Sequence, residues 1–88
     1  MADVSVFVAG ASENQVRAAV EAWADQVGFK HFDVEEATAY PGFTVAVDLY
    51  QLDENALEGF ADQLVEALPF PAASETEIDR SSRHLRSL

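Results

Sequence analysis

The sequence predicts a two-layer α+β domain of the ferredoxin-like, split β-α-β kind. An antiparallel sheet carries two helices on one face, in the order β-α-β-β-α with a short fourth strand as an option. Three observations lead there. Residues 3–9, DVSVFVA, alternate apolar and polar. Two segments, 13–27 and 53–68, repeat apolar residues at helical spacing. Two strand-like runs separated by a Pro-Gly turn lie between them.

In the first strand Val4, Val6 and Val8 share one face, and Asp3, Ser5 and Phe7 the other. Gly10-Ala11-Ser12 turns the chain, and Ser12 followed by Gln15 is a capping-box signature. Val16, Val20, Trp23 and Val27 make one buried stripe on the first helix, flanked by Ala19 and Ala24, and Gly28 suits its C-terminal end. Residues 29–40 read as a weaker strand. Phe32 and Val34 face one way, His31, Asp33 and Glu35 the other, and a bulge is expected at Glu35-Glu36. Tyr40-Pro41-Gly42-Phe43 suits a type II turn. In the next strand, 43–52, Phe43, Val45, Val47 and Leu49 face the core, while Thr44, Ala46, Asp48 and Tyr50 face away. Asp53 is placed to cap the second helix, whose core stripe is Leu57, Phe60, Ala61, Leu64, Val65 and Leu68. Pro69 and Pro71 end it.

A right-handed crossover lets the third strand insert between the first two. The domain is then residues 1–70, and residues 71–88 read as a flexible C-terminal tail, poor in apolar residues. Within the tail SETEIDR alternates, so Thr76 and Ile78 are the option for a fourth strand beside the first. RSSRHLRSL beyond it is a small basic amphipathic segment, able to touch an acidic body or to stay solvated.

The totals exclude several classes of function. The chain has no cysteine, so a disulfide scaffold, a thiolate zinc site and a cysteine nucleophile are out. A metallochaperone-like domain of this fold would need a cysteine pair. An acylphosphatase-like enzyme would need an arginine in its phosphate loop, and VAGASEN has none. No long apolar run or basic leader is present, so neither a membrane span nor a signal peptide is expected, and the cytoplasm is the expected compartment. Sixteen acidic residues stand against five basic ones, a net charge of −11. Direct binding to nucleic acid through phosphates is disfavoured, and a basic protein surface is the favoured partner.

Chemistry-bearing clusters are few. His31, Asp33 and Glu35 alternate along one strand, roughly 7 Å apart, too spread for straightforward metal ligation even with Asp48 nearby. They read as a charged edge strand. VAGASEN ends at a helix N-terminus but has no basic residue to hold an anion, and Glu13 opposes one. No nucleophile elbow, phosphate loop or zinc motif occurs, so the chain reads as a non-enzyme without cofactor or metal.

The pattern that asks for an explanation is DENALEGFADQLVEAL, residues 53–68. Glu54, Glu58, Asp62 and Glu66 recur every fourth residue, and the stretch contains no Lys or Arg. Like charges at this spacing repel by roughly 0.2–0.5 kcal/mol per pair. A solubilising face, adaptation to high salt and recognition of a basic groove all account for the row. The recognition reading makes the chain a non-catalytic acidic module. In its limiting form it is an inhibitor, of the kind phages and mobile elements encode, that occupies a partner's nucleic-acid-binding surface. Phe7 and Tyr50, on the open sheet face, are candidate anchors. The alternative is a small ligand-sensing or assembly domain forming a homodimer through that face.

Overall fold

The computed structural model describes residues 2–79. The elements are β1 (Ala2–Val8), α1 (Glu13–Val27), β2 (Phe32–Glu36), β3 (Val45–Leu52), α2 (Leu57–Ala67) and β4 (Ala72–Ser74). A helical turn over residues 75–79 follows. The sheet order is β2-β3-β1-β4, and every pair is antiparallel. This is the ferredoxin-like split β-α-β arrangement, with β3 inserted between β1 and β2.

The core forms where the two amphipathic helices cover one face of the sheet. Register brings Val4, Val6 and Val8 of β1 opposite Leu49, Val47 and Val45 of β3. Val34 of β2 lies opposite Val47. Against this layer pack Val16, Val20, Trp23 and Ala24 from α1 and Ala61, Leu64 and Leu68 from the α2 segment. Helix α1 starts at the predicted capping box: Ser12 Oγ accepts from the Gln15 N–H, and Gln15 Oε1 accepts from the Ser12 N–H. It ends at Gly28, whose φ of 72° is left-handed, and the Gly28 and Phe29 N–H groups both donate to the Ala24 carbonyl. Gly42, with φ of 88°, completes the expected turn, in which the Phe43 N–H reaches the Tyr40 carbonyl.

Five local expectations need correction. Val27 is 46% exposed and lies outside the core, to which this end of α1 contributes Trp23 and Ala24, with Phe29 packed against it. Asp53 does not cap α2. Its carboxylate accepts from the Asn55 N–H and its carbonyl from the Ala56 N–H, so residues 53–56 form a turn and the helix begins at Leu57. Glu54 is therefore off the helix. The bulge is not at Glu35-Glu36, which pair regularly with Ala46 and Val45. It lies where β1 meets the end of β3: Ala2 to Val4 faces the longer stretch Leu49 to Leu52, and Gln51 adopts a φ of 58° to absorb the extra residue. Phe43 precedes β3 and sits beside Phe7 instead of joining the valine layer.

The fourth strand forms at Ala72–Ser74, earlier than Thr76 and Ile78, so the sheet continues into the stretch that composition assigned to the tail. It pairs with Val6–Val8 through the backbone, and the Pro71 carbonyl extends the ladder to the Ala9 N–H. Main-chain pairing of this kind asks little of the small side chains in β4. Residues 80–88, including His84 and the basic segment, lie outside the described residues.

Candidate functional site

The domain presents two acidic surfaces, and the layer architecture puts them on opposite sides. On the helix side, Glu58, Asp62 and Glu66 are exposed along α2, one helical turn apart. Ala61, Leu64 and Leu68 turn the opposite flank of the segment into the core. Glu54 lies in the preceding turn and does not continue the helical row.

The other surface is the sheet face without helices, and strand register defines it in rows. Glu35, Ala46, Phe7 and Ala73 lie side by side across the four strands. The next row is Asp33, Asp48 and Ser5. Beyond it the Tyr50 N–H donates to the His31 carbonyl, and the two rings lie 5.7 Å apart. Asp33 and Asp48 are directly cross-strand, an arrangement of like charges that destabilises a sheet. The Ser5 hydroxyl donates to Asp48 Oδ1 at 2.7 Å.

Glu35 stands diagonally from Asp48. A hydrogen bond to Asp48, that group's negative charge, slight desolvation and the further charges of Asp33 and Glu13 push the Glu35 carboxyl above its ordinary value of 4.5.

A raised carboxyl holds its proton more tightly in the folded chain than in the unfolded one. Its stabilising contribution is fully present below 4.5 and is lost as pH rises through the raised value. Glu35→Gln retains a donor towards Asp48 and removes the charge. The expected result is a higher melting temperature at pH 7 and a flatter stability profile between pH 4.5 and neutrality. Thermal melts across that range check it, and a variant whose profile matches the wild type would discard the account of Glu35 as crowded by Asp48 and Asp33.

Of the two anchors that alternation indicates, the structure places one in the open. Phe7 is only 7% exposed. Tyr40 stands edge-on to it at a centroid distance of 4.9 Å, and Phe43 at 6.4 Å. Phe7 thus supports the Tyr40 turn from beneath. The Tyr40 hydroxyl is pushed above its ordinary value by burial first, then by the carboxylates of Asp79 and Glu75 and a hydrogen bond to Asp79. Tyr50 is half-buried and keeps part of its ring on the surface. It ends a run of ring contacts that starts in the core: Trp23 to Phe60 at 5.1 Å, Phe60 to Phe29 at 4.7 Å, Phe29 to His31 at 5.9 Å, then Tyr50. Sequence alternation puts Ser5 on the open face but gives no sign of its bond to Asp48. The closure of Tyr40 over Phe7 has no sequence signal at all.

The edges of the sheet are guarded. β2 carries Asp33, Glu35 and Glu36, and Arg17 of α1 donates to the Val34 carbonyl at 2.9 Å while pairing with Glu13 at 3.2 Å. β4 is only three residues long. Charged and short edges both discourage strand-to-strand association.

Among the described residues no group of three or more His, Asp or Glu side chains converges to hold a metal ion, so His31, Asp33, Glu35 and Asp48 do not make a metal centre. The depressions include one of about 490 Å³ lined by Gln51 to Asn55 and one of about 340 Å³ lined by Glu21, Asp25, Phe29 and Lys30. Neither brings a nucleophile and a histidine together. Among the described residues no helix is long and apolar enough to cross a membrane.

Fold and surface thus define a small ferredoxin-like domain with two acidic faces. In comparisons with known proteins, no family profile, no curated relative and no solved structure matches this chain.

Proposed function

We propose that the protein is a non-catalytic acidic binding module, cytoplasmic in setting, that docks on a basic surface of another protein. One observation carries this reading: residues 2–79 contain all sixteen acids and only two bases, Arg17 and Lys30, a net of −14. Arg17 is already committed to Glu13 and the Val34 carbonyl. A field of this size steers a basic partner inward and raises the association rate. On α2, Glu58, Asp62 and Glu66 supply carboxylates about 6 Å apart along a rigid element, with Glu54 nearby in the turn. In its limiting form such a surface occupies a groove that would otherwise take a nucleic-acid backbone, which is how a small inhibitor from a phage or mobile element would act. Self-assembly through the open sheet face is less well supported, because it would set Asp33, Glu35 and Asp48 against acids of a second copy.

The test is affinity capture from lysate of the source cells, with partners identified by mass spectrometry. The wild type is compared with Glu58→Lys/Asp62→Lys/Glu66→Lys after circular dichroism shows both folded. A basic protein retained by the wild type should be lost with the variant. It should also dissociate as salt approaches 1 M, where the screening length is about 3 Å. Retention by both proteins alike, or retention indifferent to salt, would overturn the reading.

A further inference from the structure

We propose that the basic C-terminal segment of this same chain, residues 80–88, docks on the open face of its own sheet, with Arg80, Arg83 and Arg86 facing the acids of β2 and β3. The inference shares its charge argument with the proposed function but names a different face and a different occupant, so the two fail separately.

Position comes first. The described chain ends at Asp79, which with Glu75 lies beside the Tyr40 hydroxyl. Tyr40 rests on Phe7, and Phe7 belongs to the first row of the open face. The described chain therefore ends on the open side of the sheet and not on the side of α2.

Reach is ample. From the Phe7 row to the Ser5–Asp48–Asp33 row is two residues along a strand, about 7 Å. Nine residues span about 30 Å when extended and about 13 Å as a helix.

Charge complementarity is the third argument. Residues 80–88 carry three arginines and no acid, whereas residues 2–79 carry a net of −14. Neither base among the described residues serves the open face. Arg17 holds Glu13 and the Val34 carbonyl, and Lys30 lines the depression beside α1 with Glu21 and Asp25. The carboxylates of Asp33, Glu35 and Asp48 crowd one another, so a guanidinium arriving there relieves repulsion as well as gaining attraction. Tethering helps further. A segment attached a few residues away acts at an effective concentration in the millimolar range, so a weak contact is enough to populate the docked state.

The chain has no cysteine, which makes the test clean. Ser87→Cys in the full chain carries one nitroxide spin label, and the loss of backbone amide intensity is read residue by residue by NMR. The expected result at low salt is intensity loss concentrated at Ser5, Asp33, Glu35 and Asp48, with Asp62 and Glu66 on α2 spared. The loss should be relieved near 1 M salt and in the same labelled chain carrying Arg80→Gln/Arg83→Gln/Arg86→Gln. Loss spread evenly over both sides, centred on α2, or unchanged in the arginine-free chain would overturn the proposal. A mixture of spin-labelled chain at natural isotope abundance with unlabelled, isotope-enriched chain identifies the donor. Intensity loss in the enriched chain would assign the face to the segment of a second copy and would also overturn it. The α2 charge-reversal variant should keep the open-face pattern, so failure of partner capture leaves this result intact.

Discussion

Leu49→Ala is expected to lower the stability of the protein by about 3–4 kcal/mol. Leu49 is fully buried at the middle of β3, with Val4 of β1 on one side and Phe32 of β2 on the other. It lies on the helix-covered face, where strands and helices leave no room for the core to collapse around a void. Truncation removes the transfer free energy of the lost methyl groups and adds the cost of an unfilled cavity. A domain of 88 residues has about 4–13 kcal/mol in total, so the loss is a large fraction of it. At about 4–8 °C per kcal/mol, the melting temperature should fall by about 12–30 °C. Urea unfolding followed by circular dichroism measures it. A change under about 1 kcal/mol would mean that Leu49 is not enclosed as described.

Trp23→Ala should cost a similar amount, about 3–5 kcal/mol, for a different reason. Trp23 is 6% exposed and stands edge-on to Phe60 at 5.1 Å, with Phe29 at 6.1 Å. It joins α1, the segment before β2 and α2 in one aromatic group, and each good ring pair adds about 0.5–1.5 kcal/mol beyond buried area. Trp23→Phe should recover part of the loss, because a smaller ring can keep the edge-on contact. The effect should also travel. Phe29 loses its backing, so the ring resonances of His31 and Tyr50, next in the run, should shift. Unchanged His31 and Tyr50 signals in a folded Trp23→Ala protein would show that the surface rings are not braced by the core.

How much of this was legible in the sequence depends on how local each cause is. The bounds of helix α1 could be read from the sequence, because its signals are local: Ser12 with Gln15 at one end, Gly28 at the other, and a stripe of Val16, Val20 and Trp23 between, from which only Val27 departs. The strand alternation of β1 and the Pro41-Gly42 turn are equally local. Asp53 misled because an aspartate before an apolar helix serves equally well to cap it or to close a turn on Asn55, and the backbone here takes the second course. That choice moves Glu54 off the acidic row. The bulge at Gln51 was invisible because it satisfies the pairing of β1 with the end of β3, a long-range condition. The burial of Phe7 depends on a tyrosine arriving from a turn some thirty residues away. The crowding of Asp33, Glu35 and Asp48 required the register of two strands, which alternation alone does not supply. Sequence pattern fixes which face a side chain takes, whereas its neighbours on that face come from pairing between distant segments.

The strand order has a consequence in time. β1 is complete at Val8, but its partner β3 begins at Val45 and its other partner β4 at Ala72. At ribosomal rates of about 5–20 residues per second, Val4, Val6 and Val8 wait about 2–7 s for β3 to be made and still longer for β4. For that interval an apolar strand has no register to obey. Asp3 and Ser5, set between and before its valines, are the polar interruptions that stand against intermolecular pairing while the newborn chain is incomplete.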